Sequence, residues 1–539
     1  MPRHHPQSGP RPGTAPAAST GTAPGAGPGA APHRALPTRP AGPTLDAEAC
    51  HSAPPRLSFL TRPLPEELLG ARSPDLLGLL QGRDDVASWV HQGRGLIGLG
   101  RALTLTARGP RRIEALRSAW RAVVYASWWR DPLVRPGTGP VALGSITFSP
   151  ASAQSSVLLV PRVLVGLDGR GAWATTAVPE GREHPGLEEI LAAPPLEAPA
   201  PAPGAPARPG TAPPPGSAAA GAAQPSAAPA PLRPPAGAGP RPCPSTIAPA
   251  APPGRAIAPG LDVHQGSLSR EEWQAAVIAA QERMRRGEAG KVVLARDLLI
   301  DPPPAMTTGD LLARLGRAYP TCWTFAVDGM VGASPEMLVR LEDRRLFSRV
   351  LAGTARVSRG LEPQQRARAV AGLAEWLRAS GKNTREHALA RASVLEALEP
   401  LCSAVEAQEP HVLELPNVLH LASDMRGVVA GDTGALSLVG ALHPTAAVGG
   451  TPTAAATGII ESVEGMDRGR YAGPVGWVDW HGEGQWCIAL RSAQLGAHPG
   501  EPLRVFGGCG IMPDSDPADE LAETEAKMRP VLEALAALA

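Results

Sequence analysis

Residues 473–494 read GPVGWVDWHGEGQWCIALRSAQ. Apolar, aromatic and β-branched residues on each side of the glycine-containing turn predict two strands, Gly473–Trp480 and Gln485–Gln494. The same kind of pattern predicts further strands at Leu96–Gly100, Val141–Ser149, Ser155–Val165, Gly171–Thr176, Lys291–Arg296, Cys322–Val327, Met337–Glu342, Val412–Leu415, Val418–Ala422 and Leu503–Gly508. Residues 332–336 (GASPE) are predicted to form a turn between two of these strands.

Helices are predicted between the strands, where apolar residues recur every three or four positions. Ser269, followed by two glutamates, is a good N-cap for a helix that extends to about Arg286. Other helices are predicted at Pro110–Trp129, Thr308–Tyr319, Gln364–Arg378, Thr384–Leu398 and Pro517–Leu538. Helices and strands are mixed without a strict βαβ alternation, so the sequence predicts an α+β fold with a large, mainly antiparallel sheet system.

Proline and glycine are unevenly distributed along the chain. The 539 residues include 63 Pro and 60 Gly, but 11 prolines lie in residues 1–44 and 22 lie in residues 194–259. The second segment cannot bury enough apolar surface to offset the entropy lost on ordering. We therefore predict a disordered tail (1–50), a first folded half (55–193), a disordered insert (194–259) and a second half (260–539) that carries the chemistry.

Charge and cysteine content exclude several functional classes. The formal net charge of +1 gives no reason to expect nucleic acid or an anionic membrane as a partner. The six cysteines are scattered without CxxC spacing, which disfavours a disulfide framework or a zinc site and favours the cytoplasm. No apolar run is long enough for a transmembrane helix, and the N-terminal residues lack the apolar region of a secretory signal.

The common catalytic motifs are absent from the sequence. It has no GxGxxG or GxxxxGK[ST] phosphate loop, no GxSxG nucleophile turn and no HExxH zinc motif. If a metal takes part, its ligands are expected to be oxygen atoms.

Several weaker patterns of charged and polar residues remain, and each of them also has an ordinary structural explanation. Glu520, Glu523 and Lys527 share one face of the C-terminal helix, which is typical of a solvated face but also of a carboxylate metal site. Lys291 opens an apolar strand, where it either reaches solvent at an edge or directs its amine into a cleft. Glu386 begins another helix, and Glu336 follows a predicted turn. His420 and His443 are ordinary histidines when considered alone.

Taken together, these pieces resemble the chorismate-utilising enzymes, the family of isochorismate, salicylate, anthranilate and aminodeoxychorismate synthases. The resemblance covers residues 267–539, and it is weaker in the first half. The segments that carry it occur in the family's order: 291–296 (KVVLAR), 332–336 (GASPE), 351–356 (LAGTAR), 385–387 (REH), 420–422 (HLA), 441–445 (ALHPT), 471–477 (YAGPVGW), 489–491 (ALR), 508–511 (GCGI) and 515–527. The family implies a large antiparallel β-sandwich wrapped by helices, with the active site in a cleft.

The resemblance also implies a set of site residues. It implies Mg²⁺ bound by Glu386 and Glu523, with Glu520 completing the metal site. The residues implied for chorismate binding are Gly353, Thr354, His420, Thr445, Tyr471, Arg491, Gly510 and Lys527. Lys291 is implied as the base that activates water, and Glu336 as the acid that protonates the leaving hydroxyl.

Three features indicate which reaction to expect within the family. Segments 441–445 and 471–477 resemble the isochorismate synthases more than the salicylate synthases, which typically have Phe where this chain has His443. The ammonia-using relatives carry glutamine where this chain has Lys291, and aminodeoxychorismate enzymes carry a nucleophilic lysine where it has Ala352. We therefore expect reversible conversion of chorismate to isochorismate by a monomer, without a glutamine amidotransferase subunit. The sequence leaves open salicylate synthase, which removes pyruvate after the same step, and a non-catalytic chorismate-binding protein. It does not distinguish menaquinone from siderophore biosynthesis.

Overall fold

The computed structural model describes residues 42–48, 54–65, 75–186, 260–358, 361–415, 418–498 and 500–539. The predicted insert (194–259) and most of the predicted tail lie outside the described residues, as do the side chains of Thr354, Arg356, Lys382, Glu386, Leu415 and Val418. One part of the tail prediction differs from the structure. Thr44–Asp46 form a strand, because their backbone pairs with residues 104–106 of a long neighbouring strand.

The described residues form 22 strands that hydrogen bonding joins into one continuous sheet system. They are β1 Thr44–Asp46, β2 Leu57–Leu64, β3 Val86–His91, β4 Arg94–Ala107, β5 Trp128–Arg130, β6 Val141–Ser145, β7 Ser156–Asp168, β8 Gly171–Pro179, β9 Val263–Gln265, β10 Lys291–Ile300, β11 Trp323–Val327, β12 Met330–Ser334, β13 Met337–Glu342, β14 Arg345–Arg356, β15 Cys402–Ala407, β16 His411–Leu415, β17 Val418–Val429, β18 Gly450–Thr451, β19 Pro474–Asp479, β20 Gly484–Ile488, β21 Ser492–Gln494 and β22 Leu503–Ile511.

The α-helices of the described residues pack around these strands. They are α1 Arg112–Ala126, α2 Arg270–Arg285, α3 Thr308–Ala318, α4 Pro363–Ala379, α5 Gly381–Leu398, α6 Ala435–Leu442, α7 Thr453–Val463 and α8 Pro517–Ala536. Helix α2 begins with the predicted cap: the Ser269 side chain accepts a hydrogen bond from the Glu272 backbone, and the Glu272 side chain accepts one from Ser269. None of the described helices is both long and apolar enough to span a lipid bilayer.

Antiparallel pairing dominates the sheet system, which confirms the predicted fold class. The parallel pairs among the described strands are β1 with β4 and β2 with β5. Strand β3 of the first half pairs with β11 of the second, and β6 pairs with β19. The two halves of the sequence are therefore built into the same sheet.

A glycine allows the close approach at one of these joints. Gly144 of β6 lies opposite Gly476 of β19. A Cβ atom at Gly144 would lie 2.3 Å from the ring of Trp486, a distance that atoms cannot adopt. Trp486 is fully buried, so the absence of a side chain at Gly144 lets this large ring fill the core at the joint.

Two predictions, a turn at 332–336 and a single strand at 485–494, were wrong. Residues 330–334 form strand β12 instead of a turn, because Val331 and Gly332 pair with β11 on one side and with β21 on the other. The single strand predicted at Gln485–Gln494 is broken into β20 and β21. Arg491 between them has a φ of +49°, which a continuous strand does not accommodate.

Candidate active site

Strand β10 carries Lys291 at its first position, in the interior of the sheet. The strand pairs with β22 on one side and with β9 and β18 on the other, and Lys291 itself lies opposite Thr451. A Cβ atom at Gly510 of β22 would lie 2.9 Å from Cε of Lys291. Glycine at 510 therefore gives the lysine side chain room to pass across the neighbouring strand, and the edge-strand alternative for Lys291 is excluded.

Glu336 lies in the short connection between β12 and β13, and both its backbone N–H and its backbone carbonyl are hydrogen-bonded. Its N–H donates to Oγ of Ser334 (3.2 Å), and its carbonyl accepts from the N–H of Ile488 (3.0 Å). The Ser334 hydroxyl in turn donates to the Ile488 carbonyl (2.5 Å). Ser334 is fully buried, so this serine ties the glutamate to strand β20.

The environment of Glu336 makes its carboxyl a proton donor near neutral pH. Burial raises the pKa of Glu336 to about 7, against the opposing effect of the positive charges of Lys291, Lys527 and Arg491. A carboxylic acid with such a pKa keeps a proton at pH values where an exposed glutamate is ionised. This behaviour suits a general acid.

Arg491 and Tyr471 are brought together in the interior. Burial lowers the pKa of the Arg491 guanidinium, whereas the electrostatic effects of Tyr471, Glu523 and Tyr319 raise it. The ring of Tyr471 stacks on Phe506 with centroids 4.7 Å apart and planes 9° apart. Burial raises the pKa of Tyr471 to about 12, so the phenol stays protonated and can donate a hydrogen bond.

Helix α8 presents its predicted polar face to the same region. Nζ of Lys527 donates to the carbonyl of Gly508 in β22 and to Oε1 of Glu523, both at 2.8 Å. Oε1 of Glu520 accepts a hydrogen bond from Oγ of Ser515 at 2.7 Å. Burial, together with the negative charge of Glu523, raises the pKa of Glu520. These side chains are held against β22, so the solvated-face alternative does not describe them.

A β-bulge places Gly353 beside His420. The register of β14 against β17 shifts between Ala352 and Thr354, and Thr354 lies opposite His420. Gly353 has a φ of +77°, which favours glycine. Burial lowers the pKa of His420 to about 4 against the opposing hydrogen bond with the Gly353 backbone, and the positive charges of Lys527 and Arg491 lower it further. His420 is therefore neutral at physiological pH.

A cavity of about 430 Å³ has both Lys291 and Glu336 on its wall, whereas Arg491, Tyr471 and His420 are not among its lining residues. Most of its lining is apolar and comes from β14, α5 and the end of α6. Other lining residues include Leu338, Val350, Ala352, Arg385, Val394, Leu442, His443, Thr445, Thr453 and Met512. The predicted base and acid therefore share an enclosed space of the size that small-molecule ligands occupy.

The structure thus brings most of the predicted site residues into one electrostatically connected region. The charges of Lys527 and Arg491 act on both Glu336 and His420, while Lys291 acts on Glu336 and lies over Gly510. Thr445 lies on the cavity wall. The side chains of Glu386 and Thr354 lie outside the described part of the chain, so their predicted roles stay predictions.

Two residues with a clear supporting role were not assigned by the sequence. Ser334 fixes the backbone of Glu336, and Ser515 binds the carboxylate of Glu520. Both lie inside the segments that carry the family resemblance. Their signal is a small hydroxyl residue two or five positions before a functional acid, but the partners of such a hydroxyl become visible only in the folded chain.

The predicted Mg²⁺ site consists of three carboxylates, and the structure describes the side chains of two of them, Glu520 and Glu523. Among the described side chains, no group of three His, Cys, Asp or Glu residues converges on a possible metal position. Glu520 and Glu523 lie one turn apart on α8, and the charge of Glu523 raises the pKa of Glu520. Carboxylate oxygens held this way are the donors that Mg²⁺ prefers, and a divalent cation would relieve their mutual repulsion.

Comparison with known proteins places this geometry in a family. Residues 256–536, which are more than half of the chain, match the family described as chorismate binding enzyme. The chain belongs to this family. The match includes Lys291, Glu336, Arg491 and the whole of helix α8.

Individual relatives of the chorismate binding enzyme family match the same half. The chain is 39% identical over 287 residues to a salicylate biosynthesis isochorismate synthase of Pseudomonas aeruginosa, which covers 51% of this chain and 57% of that protein. It is 36% identical over 279 residues to the isochorismate synthase DhbC of Bacillus subtilis, which covers 49% of this chain and 68% of that protein. In the first comparison the chain thus spans less than two thirds of its relative.

A solved structure extends the similarity of fold to both halves. MenF, the menaquinone-specific isochorismate synthase of Escherichia coli, superposes with a TM-score of 0.61 at 23% sequence identity. The superposition covers 90% of this chain and 95% of MenF. The first half, where the sequence resemblance is weak, therefore has the family's fold as well.

Proposed function

We propose that this protein is an isochorismate synthase, an isomerase that converts chorismate to isochorismate. The observation that supports this most strongly is the pair formed by Lys291 and Glu336. The two side chains lie on the wall of one cavity, and the pKa of Glu336 is about 7. A reaction that takes a proton from water and gives one to a departing hydroxyl needs such a base and acid together.

The proposed reaction follows from these two roles. Lys291, acting as the base, removes a proton from a water molecule as the water oxygen bonds to C2 of the ring. The ring double bonds shift, the C4–O bond breaks, and protonated Glu336 gives its proton to the departing hydroxyl, which leaves as water. Lysine ends protonated and glutamate ends ionised, and proton exchange with solvent restores both. Because substrate and product are isomers of similar structure, we expect the reaction to be reversible.

The other residues of the site would bind the two carboxylates of chorismate. Arg491 and Tyr471 offer a guanidinium and a phenol to the enolpyruvyl carboxylate, which suits the two-pronged geometry of arginine. Glu523 and Glu520, with Glu386, would hold Mg²⁺ at the ring carboxylate. Bound there, the ion would supply charge neutralisation and orientation for the substrate.

Several features support this member of the family over others. Lys291 stands at the position where ammonia-using relatives carry glutamine, so we propose water as the nucleophile and no amidotransferase partner. Ala352 lines the cavity where a covalent mechanism would need lysine. We propose that the protein acts in the cytoplasm as a monomer and serves menaquinone or siderophore biosynthesis.

The purified full-length chain tests the proposal directly. With chorismate and Mg²⁺ we expect isochorismate as the product in chromatography at neutral pH, and loss of turnover with EDTA that added Mg²⁺ restores. The variant Lys291→Ala should lose at least about 100-fold in kcat. Salicylate and pyruvate as products would instead show a salicylate synthase. Chorismate left unchanged at saturating Mg²⁺ would show a binding protein without catalysis.

A further inference from the structure

The imidazole of His443 has one nitrogen bonded to the protein and one without a hydrogen-bond partner among the described residues. Its Nε2 lies 3.0 Å from the carbonyl oxygen of Ala472, and because a carbonyl only accepts, Nε2 carries the proton. Burial lowers the pKa of His443 to about 3, so the ring is neutral and Nδ1 has a free lone pair. His443 is 91% buried, and Nδ1 has no hydrogen-bond partner among the described residues.

Thr445, two residues further along, shows the same feature. Its hydroxyl oxygen is buried and lacks a hydrogen-bond partner within the described part of the chain. The backbone around it is nonetheless well fixed, since the Thr445 carbonyl accepts from Val448 (3.1 Å) and Gly449 (2.9 Å). Buried polar atoms in folded proteins are almost always satisfied by protein or by ordered water. His443 and Thr445 are distinguished from other buried residues with such atoms because both lie in one short segment and both line the cavity.

The cavity decides what kind of molecule can reach them. His443 and Thr445 both lie on its wall, together with Lys291 and Glu336. The rest of the wall is mainly apolar, so a ligand of His443 and Thr445 needs an O–H to donate to Nδ1 and a lone pair or second hydrogen for the threonine hydroxyl. Water meets both requirements, and the cavity is large enough to admit it.

We propose that His443 and Thr445 hold an ordered water molecule on this wall, and that Lys291 draws its nucleophile from this site. The second part of this proposal, the use of this water by Lys291, rests on the proposed function. The site gives Thr445 a different role from the direct substrate contact that the family resemblance implies. It also supplies a water molecule at a fixed position on a mainly apolar wall.

A crystal structure of the full-length protein without substrate tests the water site by itself. We expect density for a water molecule within hydrogen-bonding distance of Nδ1 of His443 and Oγ1 of Thr445. An empty position in a map that shows the other buried waters would overturn the proposal. This result does not depend on whether chorismate is the substrate, so it remains decisive if the proposed function fails.

Kinetics of Thr445→Val test the role of the water. This substitution keeps the shape and removes the hydroxyl, and we expect kcat to fall about 10-fold with KM changed less than about 2-fold. Thr445→Ser, which restores a hydroxyl, should recover most of the turnover. Thr453→Val is the matched control, because Thr453 lines the same cavity and its hydroxyl is not among the buried groups without a partner. A raised KM with kcat retained would show a contact with substrate and would overturn the proposal.

Discussion

At the scale of single residues, the site depends on where one carboxyl group is placed. The positive charges of Lys291, Lys527 and Arg491 each favour ionisation of Glu336, and yet burial keeps its pKa at about 7. The balance matters because the acid must hold a proton and then release it in one catalytic cycle. A glutamate at the surface would already be ionised at pH 7.

Replacing Glu336 by glutamine should therefore remove the proton donor and lower kcat by about 100- to 10,000-fold. The fold should be retained, because an amide has nearly the same shape, and thermal melting would check this. Glu342→Gln on strand β13 is the control, since the Glu342 carboxylate accepts from Gln485 and does not face the cavity. Near-normal turnover in Glu336→Gln would refute the role of Glu336 as the acid.

The same carboxyl predicts how turnover depends on pH. The group acts in its protonated form, and its raised pKa means that this form is abundant below pH 7 and disappears as the pH rises through about 7. A base acts in its unprotonated form, so the increase of that form of Lys291 with pH opposes this loss. We therefore expect the logarithm of kcat/KM for the wild-type enzyme to bend downward near pH 7 relative to the profile of Glu336→Gln. Profiles of the two enzymes that have the same shape from pH 6 to 9 would contradict this assignment.

Ser334 offers a test of how the acid is positioned. Its hydroxyl bridges the Glu336 N–H and the Ile488 carbonyl, so Ser334→Ala leaves a buried donor and a buried acceptor without this partner. We expect a loss of about 1–3 kcal/mol in the free energy of unfolding, and a lower kcat with little change in KM. Ser334→Thr should recover part of both. Unchanged unfolding and kinetics in Ser334→Ala would show that the bridge is dispensable.

At the scale of elements, a buried ion pair anchors the strand that carries Lys291. Arg468 and Glu464 are both almost fully buried and lie 2.6 Å apart. Arg468 also donates to the Val293 carbonyl, and Glu464 accepts from the N–H of Ala295, so both partners bind β10. The pair therefore connects the end of α7 to the catalytic strand.

Arg468→Met should cost about 3–5 kcal/mol in the free energy of unfolding, because it leaves the Glu464 charge buried without its partner. The double variant Glu464→Gln/Arg468→Met should be less destabilised than this single variant. Urea unfolding measures both. Arg117→Met, which breaks an exposed pair with Glu114, is the control and should cost at most about 1 kcal/mol. A cost for Arg468→Met no larger than that of the control would contradict the anchoring role.

The elements also show what sequence patterns can and cannot predict. Helix α2 and strand β10 were predictable because a Ser–Glu cap and an apolar run are local signals. Strand β12 was missed because Gly332, Ala333 and Ser334 have little intrinsic strand propensity, and only pairing on both sides makes them a strand. The break at Arg491 depends on a positive φ that no local residue pattern indicates.

The residues of the candidate site show the same difference between what the sequence predicts and what only packing determines. Lys291 and Glu336 were assigned through the family resemblance, and the structure places both on one cavity. The contacts of Ser334 and His443 were not predictable, because each joins segments far apart in the sequence or leaves one atom unpaired. The bond from Ser515 to Glu520 is local, but the folded chain determines which partner the hydroxyl takes. Such relations are properties of packing, which a single sequence does not contain.

At the scale of the whole molecule, the catalytic groups all come from the second half, and the insert at 194–259 separates it from the first. On composition alone, we predict that deleting residues 200–250 leaves kcat and KM within about 2-fold of the full chain. Steady-state kinetics and thermal melting of the deletion variant would measure this. A dead but folded variant would show that the insert takes part in function.

The joining of both halves into one sheet has a consequence for protein engineering. Strands β11 and β19 of the second half each pair with a strand of the first. A fragment limited to residues 260–539 would keep every proposed catalytic group but expose the backbone edges of two strands, which invites self-association. Two separately synthesised pieces, cut within the insert, should instead complement each other, because each supplies the hydrogen-bonding partners that the other lacks.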